Sequence, residues 1–477
     1  MTQFSEISAF VARMLATGGD SRIRVSPGAS TNMYGASPFP REMLAYAATT
    51  ANDISLEAFE HLHRTVQCWA SGAMSGDDYT AALERLRDTL RAAYALDPVT
   101  NIVFAPSGTD LEFVALHLAM AVSGKPVTNI ILGADEVGSG CGLAASGRYF
   151  SNETVLAECV EKGSCVAGLE GATTIDVPVR DADGKARSSQ AIRVAVADLV
   201  EAAIADDRHA LVHVVHGSKT GLVLPAFDDI DVLRTRFGGA MTLVIDACQA
   251  RITQKSVAAY LDRSAIVFIT GSKFMGGPPF SGFALLPDTV RCVSPVPQGF
   301  ETLFRRAEWP AGWPGAERLA NSANPGLLLR LEAALFELAR YSALSTSRIA
   351  GVSTSFNRAT RTLAETLGAR HICPSHSASQ AATMATLDLS SLPCGPDFET
   401  AQRWQRVLAA RGIRLGQPVR CVKRPDGRWG GTLRISLSMP TIVSLAALTP
   451  QAADERLGRD MASIAEILGA AARPVVA

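Results

Sequence analysis

From Pro98 to Thr270 the chain alternates short apolar runs with helical stretches, and this alternation restricts the possible folds more than any other feature. Asn101–Ala105, Thr128–Leu132, Ala210–Val215, Met241–Ile245 and Ala265–Ile269 each read as a strand, with helices such as Leu111–Val122 and Val196–Ala205 between them. Runs so uniformly apolar are covered on both faces, so the pattern implies a mostly parallel sheet with helices on either side. In such sheets ligands bind beyond the carboxyl ends of the strands. The residues just past each run are therefore where chemistry is expected.

Two of these ends stand out. Leu243-Val-Ile-Asp246-Ala-Cys-Gln249 delivers an acid, and Phe268-Ile-Thr270-Gly271-Ser272-Lys273-Phe-Met-Gly276-Gly277-Pro-Pro279 delivers an amine in a loop of small residues. Either feature alone is commonplace. Together they suit pyridoxal 5'-phosphate: Lys273 holds the aldehyde as a Schiff base, and Asp246 keeps the pyridine nitrogen protonated so that the ring accepts electrons.

A strand ending D-x-x-Q, with a lysine and a Gly/Pro-rich loop one strand later, resembles the fold type I pyridoxal phosphate enzymes, and among them the class V aminotransferase and cysteine desulfurase group. The resemblance covers residues 98 to 440 and implies an α/β fold: a large, mostly parallel sheet domain of the seven-stranded type and a smaller α+β carboxyl-terminal domain. It also implies roles for particular residues. Ser107-Gly108-Thr109, at the start of an apolar helix, look like the family's phosphate cup, since a helix amino terminus offers unpaired N–H groups and the positive end of its dipole; a capping role alone is the other reading. Thr270 and Ser272 take positions whose counterparts bind phosphate. His216-Gly-Ser218-Lys219-Thr220-Gly221 is similar to the loop near the cofactor's phenolic oxygen, which makes Ser218, Thr220 and Gln249 candidate partners of that oxygen. Arg318 to Gly326 resembles a segment that crosses to a neighbouring subunit's phosphate, with its hydroxyl kept at Ser322, and so implies a homodimer with shared sites.

The family's ring-stacking histidine or aromatic is missing, because Val137 or Gly138 falls in its place, so the ring would be held by an apolar contact or by a group from elsewhere such as Tyr149. Arg434, in Arg434-Ile-Ser436, looks like the arginine that pairs with the substrate's α-carboxylate through two parallel hydrogen bonds. Asn32 and Tyr34, in the turn-rich segment Ser26–Pro40, are further candidate substrate contacts. The reading is an enzyme acting on an amino acid by aminotransferase-like chemistry. Gln249 and the spacing from Gly412-Ile413 to Cys421 keep a cysteine desulfurase or related carbon–sulfur lyase open, and a pyridoxal phosphate-binding protein without turnover is a third, lower-ranked reading.

Composition adds boundaries rather than chemistry. A chain of 477 residues predicts two or three domains, here an amino-terminal helix and active-site arm over 1–60, a large domain over 61–325 and a small one over 326–477. Its net charge of −1 gives no footprint for nucleic acid or an anionic membrane. Nine cysteines without C-x-x-C spacing favour neither a disulfide framework nor a zinc site, and no metal is expected. The start, Met1-Thr-Gln-Phe-Ser-Glu-Ile, has no signal-peptide pattern, and no apolar run is long enough to span a membrane, so a cytoplasmic location is expected. Helices are expected over 3–16, over Glu42–Tyr94 with a break at 71–77, and over the stretch from Leu327 toward Leu367.

Overall fold

The computed structural model describes residues 2–67, 69, 74–134, 136–137, 141–290, 294–372 and 381–472. Helix α1 (Thr2–Leu15) leads into an irregular arm and a short strand, β1 (Leu44–Tyr46), before helices α2 (Leu56–Gln67) and α3 (Gly76–Tyr94). Strand β1 corrects the expectation of helix from Glu42. Its three residues pair in parallel with β12 (Ile413–Leu415), Leu44 opposite Ile413. A partner so distant in sequence overrides local propensity.

The alternating region forms the main sheet. Its strands are β2 (Asn101–Ala105), β3 (Val127–Leu132), β4 (Thr173–Val177), β5 (His209–His216), β7 (Met241–Asp246), β8 (Ile266–Thr270) and β9 (Gly282–Leu286), in the order β2-β9-β8-β7-β5-β3-β4; the two-residue β6 (Val223–Leu224) pairs with the end of β5. Pairs β3/β4, β3/β5, β5/β7 and β7/β8 are parallel, and β9 runs antiparallel to both its neighbours. Five of these strands, β3, β5, β8, β9 and β2 after its first residue, are buried throughout. The helices that cover them are α4 (Leu111–Ser123), α5 (Cys141–Ala145), α6 (Ser189–Ala205), α7 (Phe227–Phe237) and α8 (Gln254–Leu261). Helix α4 is buried on nearly all sides, as an apolar helix packed in an interior must be.

Helix α9 (Pro325–Ser342) opens with Asn324 capping Leu327 and Pro325 in the first turn. The helix expected to run on from it divides at Ala343–Ser345, where Ser345 caps α10 (Thr346–Leu367). An antiparallel sheet β10-β11-β13 comes next, from β10 (Arg370–Ile372), β11 (Met384–Asp388) and β13 (Thr432–Ser436), with Thr386 opposite Arg434. Helices α11 (Phe398–Ala410), α12 (Met439–Ala446) and α13 (Pro450–Ala472) complete the chain. Among the described residues no helix is long and apolar enough to cross a membrane.

Candidate active site

Parallel pairing puts the carboxyl ends of β8, β7, β5 and β3 along one edge of the sheet, and β9, being antiparallel, brings its first residue, Gly282, to the same edge between β8 and β2. The loops leaving that edge surround a cavity of about 230 Å³. Asp246 and Lys273 both line it, with Ser107, Gly108, Thr109, Ser218, Gln249, Thr270, Ser272, Arg434 and Tyr34. Residues from β2 to β13, and from the amino-terminal arm, thus converge on one space.

Asp246 ends β7, and its Oδ1 accepts the backbone N–H of Cys248 at 3.0 Å, which fixes the carboxylate's orientation. Beside it, His213 on β5 faces Glu112 on α4, with Nε2 3.3 Å from Oε2 and both side chains buried. Burial alone would lower the His213 imidazole, but Glu112 and then Asp246 outweigh it and raise it, which favours the protonated ring beside them. The Cys248 thiol, between Asp246 and Lys273, is driven well above its ordinary range by burial and then by Asp246.

Lys273 is half-buried. Its loop is held tightly: Asn52 Nδ2 donates to the Lys273 carbonyl at 2.9 Å, Phe274 N to Gln249 O at 3.3 Å and Met439 N to Phe274 O at 2.7 Å. Gly276 has φ +81°, and a Cβ there would meet the Pro440 ring at 2.5 Å. That position needs glycine for conformation and for space.

Gln249 is oriented by a residue buried beneath the site. The Arg251 guanidinium donates to Gln249 Oε1 at 3.1 Å, to Thr383 Oγ1 at 3.0 Å and to Leu437 O at 3.1 Å, and lies over the Phe274 ring. A guanidinium only donates, so the Gln249 carbonyl must face Arg251 and its amide N–H groups face the cavity.

Arg434 is buried, donating from Nε to Gln417 O and from Nη1 to Lys219 O, both at 2.9 Å. Burial lowers it to about 10, against the pull of Glu136. Glu136, after β3, is the centre of a closed network: Arg180 Nε and Nη2 stand 2.8 Å from its Oε1, and Ser218 Oγ donates to Oε2 at 2.8 Å, Thr220 N at 3.1 Å and Thr220 Oγ1 at 3.0 Å. The structure thus engages the Ser218 and Thr220 hydroxyls with Glu136, and Thr220 does not line the cavity. Asn32 also lies outside the lining; its Oδ1 accepts the N–H groups of Tyr34 and Ala36 and so shapes the turn that presents Tyr34, whose ring meets Phe280 at 5.6 Å. Ser322 is exposed and lies outside the cavity of its own chain.

No family model matches the chain, and no curated protein matches it. Solved structures do. Pyridoxamine-pyruvate aminotransferase from Mesorhizobium loti superposes with TM-score 0.51 at 17% identity, covering 91% of this chain and 99% of that one. A NifS-like protein gives 0.55 at 15%, covering 90% and 99%. Ureidoglycine-glyoxylate aminotransferase from Bacillus subtilis gives 0.54 at 12%, with the same coverage. The fold is that of the fold type I pyridoxal phosphate transferases. At these identities the likeness is one of fold, and function has to be argued from the site.

Val137 lines the cavity at the position expected for a flat stacking side chain, while Gly138 lies outside the described residues. Tyr149 does not substitute, because its hydroxyl pairs with Thr302 Oγ1 at 3.1 Å away from the cavity. His216 turns its Nδ1 to the Tyr260 hydroxyl at 2.9 Å, also outside the lining, and burial lowers it to about 4. Sequence reasoning missed Arg22, Glu112, His213 and the Thr49–Ala51 wall. Glu112 and His213 do carry a signal, since each is a charged or polar residue inside an otherwise apolar element. Arg22 carries none.

At the cup, Ser107 Oγ donates to Asp110 Oδ2 at 2.5 Å, and the buried Asp110 Oδ1 has no partner among the described residues. Burial, then the facing Asp20, push the Asp110 carboxyl up to about 7; Ser107 and Arg22 oppose this and Glu308 adds to it. The folded state therefore keeps a proton that the unfolded chain loses near 3.8. Stability from this group is full below about pH 4, falls as pH rises, and is gone above about 7, a change on the order of 4 kcal/mol. In cofactor-free protein, Asp110→Asn is expected to melt near wild type at pH 4.5 and several degrees above it at pH 8. Parallel melting curves at both pH values would contradict the assignment.

Proposed function

We propose that this chain is a pyridoxal phosphate-dependent enzyme acting on an amino acid by aminotransferase-like chemistry. The observation that carries the reading is that Asp246 and Lys273, on neighbouring strand ends, line one cavity with a helix amino terminus at one side and a buried arginine at another. The donor set suits the cofactor group by group. Thr109 offers a hydroxyl, and the start of the helix its backbone N–H groups, to a phosphate; Gln249 offers an amide N–H to a phenolate oxygen, Asp246 offers a carboxylate to a pyridinium, and Lys273 offers an amine to an aldehyde. When bound, the group supplies an electron sink that stabilises negative charge at a substrate's α-carbon.

The chain's own residues do the rest. Lys273 Nζ would hold the aldehyde carbon and, when not so engaged, would be the base that removes a substrate's α-proton and returns it. Asp246 would hold the proton on a ring nitrogen, and Gln249, its carbonyl committed to Arg251, would donate an amide N–H to a phenolate oxygen. Arg434 pairs with the α-carboxylate and so fixes which bond on the α-carbon breaks. Tyr34 and Thr49–Ala51 wall the cavity and limit water.

The cysteine desulfurase reading needs a nucleophilic thiolate; burial and Asp246 drive the thiol of Cys248 well above its ordinary range, although that residue, with Cys141, lines the cavity. Cys421 does not line it, and burial pushes its thiol up to about 11, so it stays protonated near neutral pH. That favours transamination. A homodimer in the cytoplasm, with Ser322 reaching a second subunit, belongs to the same proposal. The test is to load purified protein with pyridoxal phosphate and assay keto-acid formation across amino donors against sulfide release from cysteine. Keto acid with an amino acceptor, and no sulfide, is expected; sulfide release lost in Cys421→Ala would reverse the assignment.

A further inference from the structure

The phosphate of the proposed cofactor carries a charge of about −1.5 to −2 at neutral pH, and the cup alone does not balance it. A helix amino terminus contributes roughly half a positive charge, while Asp20 and Asp110 lie against the same end of the site. Among the described lining residues the cations are Arg22, Lys219, Lys273 and Arg434. Lys273 is committed to the aldehyde, and Lys219 and Arg434 meet at the β5 and β13 side, joined by the bond from Arg434 Nη1 to Lys219 O. That leaves Arg22.

Arg22 lies in the turn Ser21–Ile23 of the amino-terminal arm, far in sequence from every strand of the sheet. Asp20 accepts its backbone N–H at 2.9 Å, its Nε at 2.8 Å and its Nη2 at 2.7 Å, a fork that fixes the guanidinium plane. The rings of Phe150 and Phe280 hold that plane, with the guanidinium carbon 4.7 and 4.9 Å from their centroids. Nη2 also reaches Ser107 Oγ of the cup at 3.4 Å. Nη1 has no partner among the described residues, on a side chain that lines the cavity. An ion pair serving only to staple the arm would not need to line the cavity and reach the cup at Ser107.

We propose that Arg22 is the cationic ligand of the cofactor's phosphate, so that the amino-terminal arm, and not the sheet, supplies the charge that selects a phosphorylated pyridoxal over a free one. This rests on the pyridoxal phosphate reading. Two ligands differing only in the phosphate separate the two claims: pyridoxal phosphate and pyridoxal are titrated into wild type, Arg22→Gln and Arg22→Lys, with binding monitored by absorbance and by quenching of tryptophan fluorescence.

Arg22→Gln keeps a donor for Asp20 and removes the charge. It is expected to weaken pyridoxal phosphate by about 10- to 100-fold, the range of a charge-assisted pair, and to leave pyridoxal within about 3-fold of wild type. Arg22→Lys, which keeps charge without the planar fork, falls between. Equal loss of both ligands in the variants would mean that Arg22 only holds the arm, and no change in either would mean that the phosphate lies elsewhere; both overturn the proposal. If Arg22→Gln does not fold, Arg22→Met, which keeps the apolar stem between the two Phe rings and removes the charge, takes its place, and an unchanged preference for the phosphorylated ligand in it overturns the proposal too. Wild type that binds neither ligand removes the cofactor reading itself.

Discussion

Lys273→Ala is expected to abolish turnover, by at least about 10⁴-fold, because one nitrogen performs two tasks that no neighbour duplicates. The other lysine of the cavity, Lys219, lies in the loop after β5, its carbonyl bound by Arg434. The variant should also lose the visible absorbance of the loaded protein while melting close to wild type. Lys273 is only half-buried, and the contacts that hold its loop run through backbone atoms: its own carbonyl, Phe274 N and Phe274 O. An added small primary amine should restore part of the rate. Full activity in the variant, or a rate unmoved by the amine, would separate this side chain from the chemistry.

The second large effect belongs to Asp246. Asp246→Asn keeps the shape of the side chain and its acceptor for Cys248 N, but it removes the charge that, in the proposed function, would hold a proton on the ring nitrogen. Turnover is expected to fall by about 10²–10³-fold, the scale for deleting one preorganised electrostatic partner. The Michaelis constant for the amino acid should move by less than about 3-fold, since the proposed contact for that end is Arg434 on β13. The neighbouring His213 and Glu112 add a distinguishing readout. With Asp246 neutral, His213 loses one of the two carboxylates that raise it, so its imidazole resonance should titrate at lower pH in Asp246→Asn than in wild type. A rise in Michaelis constant alone would place Asp246 on the substrate and not under the ring.

Much of this site is legible in the sequence because strand ends announce themselves. A buried parallel strand must be apolar throughout, so the first polar residues after it mark the edge where ligands bind, and Asp246, Lys273 and Ser107 stand out in that way. The exposed edge strand β4 has no such contrast: Thr173-Thr-Ile-Asp-Val mixes polar and apolar residues and reads like a loop. Strand β9 is apolar but comes straight after a Gly/Pro-rich loop, and the pattern does not separate the two. Strand β1 is invisible to local pattern, because its hydrogen bonds come from Ile413–Leu415. The same applies to the arm. Asp53 gathers Arg41, Arg414 and Ser37 N from distant parts of the chain, and only that assembled clamp brings Tyr34 and Thr49–Ala51 to the cavity. Ser218 and Thr220 illustrate the opposite failure: their hydroxyls sit in the expected loop, but a buried carboxylate from the end of β3 competes for them, and pairing with Glu136 satisfies a charge that burial would otherwise penalise heavily.

The central claim is that one amine in this cavity holds an aldehyde. Loaded protein reduced with borohydride, digested and mapped by mass spectrometry, tests it directly. A phosphopyridoxyl group on the peptide carrying Lys273, at near-stoichiometric labelling, is expected; label on Lys219, scattered over surface lysines, or absent would contradict it.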